Sequence, residues 1–236
     1  MQNEQRFSSN IGNEYDLFGL SIPYHDDVQT ETVATVKVHF AEDKEEIKIL
    51  EIGFGTGLTS EVILNSDPRV TLVAIDNESE MLNKAQGRLG TQRERLTLEI
   101  VDALSFLQTV ADRSFDAVVS VWTLHNLEST VRDEIFKEIY RVLRDGGIFV
   151  NGDKIAVSDK VEHDEHLHWQ LKQFNIFAEA GRPDLRKEWV EHYHEDEHPK
   201  RILIEDVMKS TLSNIGFKNC HITKRWYMDA VAVAYK

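Results

Sequence analysis

The chain has 236 residues, of which 41% are apolar, enough for one large domain or two small ones with a sizeable buried core. Twenty-seven basic against 41 acidic side chains leave a formal charge of −14, which repels polyphosphate surfaces over ~8 Å at physiological salt and disfavours nucleic acid as a partner. The N-terminal MQNEQRFSSN lacks an apolar stretch flanked by basic residues, and no segment approaches the ~18 uncharged apolar residues of a membrane span, so a cytoplasmic protein without a membrane partner is expected.

In residues 1–46 the aromatic segment YDLFGLSIPYHDD precedes Val28, Val33, Val36 and Phe40, which line one face of a predicted helix. From Ile47 onward, short β-branched runs alternate with stretches of helical period, the pattern of a parallel sheet covered by helices. Strands are predicted over 47–52, 70–76, 96–101, 115–121 and 147–152, and their continuous apolar character predicts burial on both faces. Val131, Ile135, Ile139, Val142 and Leu143 recur at helical spacing, with Asp145-Gly146-Gly147 as the expected stop. Residues 154–201 are polar and rich in His, Asp, Glu and Trp, which predicts a helical insertion acting as a lid. A helix over 202–215 and two strands over 217–223 and 227–235 then predict an antiparallel hairpin that can join the same sheet. Cys220 is the only cysteine, so no disulfide or thiolate zinc site can form within one chain. The whole is expected to be one domain.

The stretch ILEIGFGTGLTS puts Gly53, Gly55 and Gly57 between the first strand and a helix, where bare backbone and free helix N–H groups can approach a ligand. Asp76 ends the second strand about twenty residues later, placed to accept both hydroxyls of a ribose. Asp102 follows the third strand within reach of a base, and 120–125 closes the fourth, so four loops meet at one sheet edge. A dinucleotide site prefers G-x-G-x-x-G, whereas here the third glycine comes one residue early. Glu51 suits a ligand carrying an ammonium group. S-adenosylmethionine has one, with a ribose, an adenine and a sulfonium.

The motifs LEIGFGTG, VAIDNESEMLNKA, IVDALSF, FDAVVSVWTLHNL and YRVLRDGGIFV resemble the class I S-adenosylmethionine-dependent methyltransferases over about 47–152. That resemblance implies a Rossmann-like α/β fold, a mostly parallel seven-stranded sheet ending in an antiparallel hairpin. It implies that Gly53, Gly55 and Gly57 flank the methionine part, Glu51 meets its amino group through water, Asp76 holds the ribose, and Asp102 and Ala103 contact adenine. Phe54, Asn77, Met81, Ser120 and Val121 complete the expected cofactor-binding set. The flanks, including SIPY and AIDNESEML, look like a narrower group, the carboxy-S-adenosylmethionine synthases and relatives described as tRNA uridine methyltransferases. By alignment Val121 stands where that synthase has an asparagine, and Thr211 where it has the arginine gripping its carboxylated product, which argues against that product here.

Methyl transfer from a sulfonium is a single displacement that needs positioning and exclusion of water, with a general base where the acceptor is a hydroxyl or ammonium. His125, Tyr24 and Asp153 are the expected catalytic residues, and His25, Trp122 and Tyr193 further pocket candidates. Six of the ten histidines lie in the insertion, at 163, 166, 168, 192, 194 and 198, with several carboxylates nearby. No tight metal motif is present, and a solvated lid without metal is the expectation. The expected activity is methyl transfer to a small-molecule acceptor, leaving S-adenosylhomocysteine. Other sulfonium chemistry, tRNA methylation and cofactor binding without catalysis are the alternatives, and a homodimer through the insertion is a further expectation.

Overall fold

The β-branched runs form the sheet that the alternation predicts. A computed structural model describes residues 14–41, 46–90 and 93–236. Strands β1 (Ile47–Ile52), β2 (Val70–Asp76), β3 (Leu96–Ile100), β4 (Phe115–Val121), β5 (Leu143–Lys154), β6 (Lys218–Trp226) and β7 (Asp229–Tyr235) make one seven-stranded sheet in the order 3-2-1-4-5-7-6. The first five run parallel, while β7 pairs antiparallel with both β5 and β6. Each strand sends alternate side chains to opposite layers, which is why central runs are apolar throughout: Ile49 joins one core and Leu50 the other. All seven residues of β4 are buried. β3 departs from the expected two-sided burial, because as an edge strand it keeps Thr97, Glu99 and Ile100 exposed.

On one face lie α1 (His25–His39), α2 (Leu58–Ser66) and α3 (Ser79–Leu89), which bury Val28, Val33 and Val36, then Ile63 and Leu64, then Met81, Ala85 and Leu89. The other face carries α4 (Ala103–Thr109), α5 (Ser129–Val142) and α9 (Glu205–Ile215), with Ile135, Phe136, Ile139, Met208 and Leu212 buried. The helix α5 stops earlier than its apolar stripe predicts. Leu143 is already extended and pairs with Phe115 as the first residue of β5, fully buried. The expected Asp145-Gly146-Gly147 turn then becomes an excursion within the strand, with Gly146 at φ +77°.

The insertion is helical, as expected: α6 (Lys160–Gln173), α7 (Asn175–Glu179) and α8 (Pro183–Asp196). Asp159 caps α6 by accepting from the Val161 and Glu162 N–H groups. Its apolar side consists of Phe174, Phe177, Leu185 and Trp189, all buried, and Trp189 stacks on Phe18 at 4.4 Å between centroids. Among the described residues, no helix is long and apolar enough to cross a membrane.

Candidate active site

The strand order reverses between β1 and β4, and a crevice opens at their carboxyl ends. It encloses about 390 Å³ and is lined by the β1–α2 turn, the ends of β2, β3 and β4, and one face of α1. Gly53, Gly55 and Gly57 all have positive φ, at +83°, +50° and +85°. Their roles differ. A Cβ on Gly53 would lie 2.0 Å from Thr123 Oγ1, so the turn presses directly on the loop after β4. A Cβ on Gly55 would meet nothing within 4 Å, so its backbone faces the open cleft. Gly57 does not line the cleft; a Cβ there would press on Ala85 and Leu89 of α3, so it serves packing.

Asp76 lines the cleft and ties two loops together, accepting from Gly55 N–H on Oδ2 and Glu78 N–H on Oδ1, each at 2.8 Å. Burial raises its pKa, against the opposing effect of those N–H donors. Asn77 and Met81 follow on the same wall, Asp102 and Ala103 at the next strand end, and Phe54 and Val121 beside the turn. Asp102 also caps α4 by accepting from Ser105 N–H at 2.8 Å. Ser120 is fully buried away from the cleft and donates to the Ile52 carbonyl at 3.1 Å, joining β4 to β1.

Glu51 lies fully buried just before the glycine turn. Ser60 Oγ donates to its Oε2, while Oε1 is buried without a hydrogen-bond partner. Desolvation, more than any neighbour, pushes this carboxyl up to about 8. Glu51 does not itself line the cleft, so this orphaned acceptor behind bare glycine backbone fits the ammonium end of an amino-acid ligand only through water.

Residues 49–147 match the family described as a methyltransferase domain. Across 229 residues the chain is 25% identical to a carboxy-S-adenosyl-L-methionine synthase of Campylobacter fetus, covering 94% of this chain and 89% of that one. It is 36% identical to a malonyl-[acyl-carrier protein] O-methyltransferase of Geobacter sulfurreducens, over 78% of this chain and 60% of that one. Its fold is similar to a crystal structure described as an S-adenosyl-L-methionine-dependent methyltransferase from Methanococcus maripaludis, with a TM-score of 0.63 at 17% identity, covering 100% and 96% of the two chains. Residues 49–147 thus carry a methyltransferase domain, on a chain that is similar over nearly its full length to S-adenosylmethionine-using proteins. That domain family implies S-adenosylmethionine binding.

The three residues expected to be catalytic all lie off the cleft. Tyr24 is buried among Trp169, Trp226 and Tyr227, its hydroxyl donating to Gln170 Oε1 at 3.4 Å. Burial, reinforced by Asp229, raises its pKa and removes it as a base at neutral pH. His125 points inward, with Nδ1 2.5 Å from Asp153 Oδ1 and Nε2 3.7 Å from Asp196 Oδ2. Asp153, fully buried, also accepts from the His125 N–H and from Asn151 Nδ2. The physical reason is a pair of inward carboxylates: Asp153 at the end of β5 takes both the backbone N–H and the ring of His125, and Asp196 at the end of α8 faces its other nitrogen. Tyr193 is likewise buried there, under Lys154 Nζ at 4.3 Å from its ring centroid.

His25 and Trp122 do line the cleft, stacked at 4.8 Å and 12°. Gln29, one helical turn beyond His25, brings Nε2 within 3.3 Å of the His25 Nε2. Gln29, Asn126, Glu128 and Arg201 are lining residues that sequence reasoning missed; the i, i+4 pair of polar side chains on an otherwise apolar helix face was the available signal for Gln29. Thr211 is not a lining residue, and among the described lining residues the one arginine is Arg201, which donates to the Asn126 carbonyl at 2.7 Å. The insertion is less solvated than its composition suggests. His163 Nε2 meets Glu197 Oε2 at 2.6 Å, and Lys154 bridges Glu197 and Asp196 at 3.0 and 3.4 Å.

Proposed function

We propose that this chain transfers the methyl group of S-adenosylmethionine to a small-molecule acceptor, releasing S-adenosylhomocysteine. The observation that supports this reading is the continuation of the cleft beyond the cofactor motifs, to a second end built from His25, Gln29, Trp122 and Asn126. When bound, the cofactor supplies a methyl group made electrophilic by its sulfonium. Glu51 balances the ammonium. Asp76, which also accepts from backbone N–H groups at the turn, offers a carboxylate to the ribose hydroxyls. Asp102 and Ala103 border the adenine.

At the second end, the stacked His25–Trp122 pair orients the acceptor and excludes water, and His25 takes the acceptor's proton where one must leave. Asp76, Glu78, Asp102 and Glu128 outnumber Arg201 among the lining charges, which favours a neutral or cationic acceptor. Isothermal titration with S-adenosylmethionine and S-adenosylhomocysteine tests the cofactor, and absence of binding at millimolar ligand overturns the reading. Turnover is read by mass spectrometry as acceptors gaining one methyl group.

A second reading keeps the cofactor and changes the carbon that moves. It is favoured by Arg201, a cation on the cleft able to balance a carboxylate, and by the similarity to carboxy-S-adenosyl-L-methionine synthases. A cofactor product heavier by a carboxylate, or free methylthioadenosine, would select it over methyl transfer.

A further inference from the structure

His125, in the turn after β4, and His192 and Asp196, one turn apart on α8, each offer one ligand atom, and these atoms lie within 4.8 Å of one another on buried side chains. The Nε2 atoms of both histidines approach the same oxygen, Asp196 Oδ2, at 3.7 and 3.8 Å. Ligands held at about 2.0–2.1 Å from one tetrahedral ion sit roughly 3.3 Å apart, so each histidine needs to close on Asp196 by only about half an ångström. The other ring nitrogen of His125 faces Asp153 Oδ1 at 2.5 Å. A carboxylate in that position holds the proton on Nδ1 and leaves the Nε2 lone pair for a metal, the arrangement that accompanies most histidine ligands.

The charges around the cluster point the same way. Asp153, Asp196, Asp229 and the half-buried Glu197 bring four carboxylates together, whereas the fixed cations are Lys154 and Arg132. Lys154 is held more closely by Glu197 than by Asp196, and Arg132 is occupied with backbone carbonyls, including those of Leu127 and Arg201. Two imidazoles and one carboxylate suit borderline first-row ions rather than magnesium or calcium.

We propose that His125, His192 and Asp196 bind one divalent ion of the zinc class, which staples the helical insertion to the cofactor core. The site lies behind the cleft wall, so it is independent of the acceptor and of the methyl-transfer reading. A fourth position is left for water.

The test uses full-length, tag-free protein stripped with a chelator and titrated with Co²⁺, read by its visible absorption, with elemental analysis of zinc after reloading. One ion per chain is expected, with an absorption band that saturates at one equivalent, vanishes in His192→Ala, and persists in His168→Ala, whose side chain is exposed. Asp153→Asn weakens Co²⁺ binding by about 10- to 100-fold. Should His192→Ala fail to fold, Asp196→Asn carries the same expectation. Hydrogen exchange of 183–196 slows when zinc is added. Wild-type protein without a band overturns the proposal, as does a band that survives both ligand substitutions, which would mark an adventitious ion only.

Discussion

Replacing Glu51 with glutamine keeps its shape and removes its charge. In the free protein burial pushes the carboxyl up to about 8 from its ordinary 4.5, against the lowering effect of its Ser60 donor. Between those two values the folded chain holds a proton that the unfolded chain has lost, so this group makes stability fall as pH rises. The whole window is worth about 5 kcal/mol at most, and Glu51→Gln should lose that slope. Binding an ammonium reverses the preference and expels the proton. At pH 7 the wild type should release about 0.9 proton more per cofactor bound than Glu51→Gln does, measured by titration calorimetry in two buffers of different ionisation enthalpy. The lost charge-assisted bond, about 1.5–3 kcal/mol, is partly offset at pH 7 by about 1.4 kcal/mol no longer spent on ionisation. The affinity defect is therefore up to about tenfold at pH 7. Equal proton release by both proteins, together with parallel stability slopes, would refute the role given to this carboxylate.

The three turn glycines should separate by alanine substitution. Gly53→Ala meets Thr123 and should fail to fold or melt far below wild type; Gly55→Ala costs only the ~1–2 kcal/mol of left-handed backbone while its methyl group weakens cofactor binding; Gly57→Ala lowers Tm through its contact with α3. His25→Gln should lower kcat by about 10²- to 10⁴-fold for a hydroxyl or ammonium acceptor, with the cofactor Kd unchanged, whereas a fall in cofactor affinity alone would remove His25 from the acceptor end. Trp122 Nε1 donates to buried Asp229 at 2.9 Å, so Trp122→Phe should cost about 1–3 kcal/mol, read as a lowered denaturation midpoint. No loss of stability would mean that another group takes over the carboxylate.

What the sequence disclosed and what it hid divide by the range of the interactions. β1, β2 and β4 begin and end where their apolar runs do, because burial on both faces writes itself into every residue of a short strand. The cleft wall was legible because its glycines and carboxylates sit directly at strand ends that the apolar runs mark, although Gly55 and Asp76 meet across 21 residues of sequence. His125 was misjudged because its partners, Asp153 and Asp196, lie 28 and more residues away in sequence, and no local spacing announces them. The insertion misled in another way: histidines and carboxylates have the same composition whether they face water or one another, and α6 and α8 do both. His163 and His192 are buried, while His168 and His194 are exposed.

Trp122 has a residue of each compartment on either side of its indole: His25 of the cleft stacks on its face, and Asp229 of the interior takes its N–H. Its backbone is held at φ +46°, in the left-handed region that few bulky residues occupy. The two chambers thus share a partition. Changes of acceptor preference are best sought on the single helix face carrying His25 and Gln29, where two positions can be recut without touching the cofactor wall. A recut at Trp122 would breach both rooms at once.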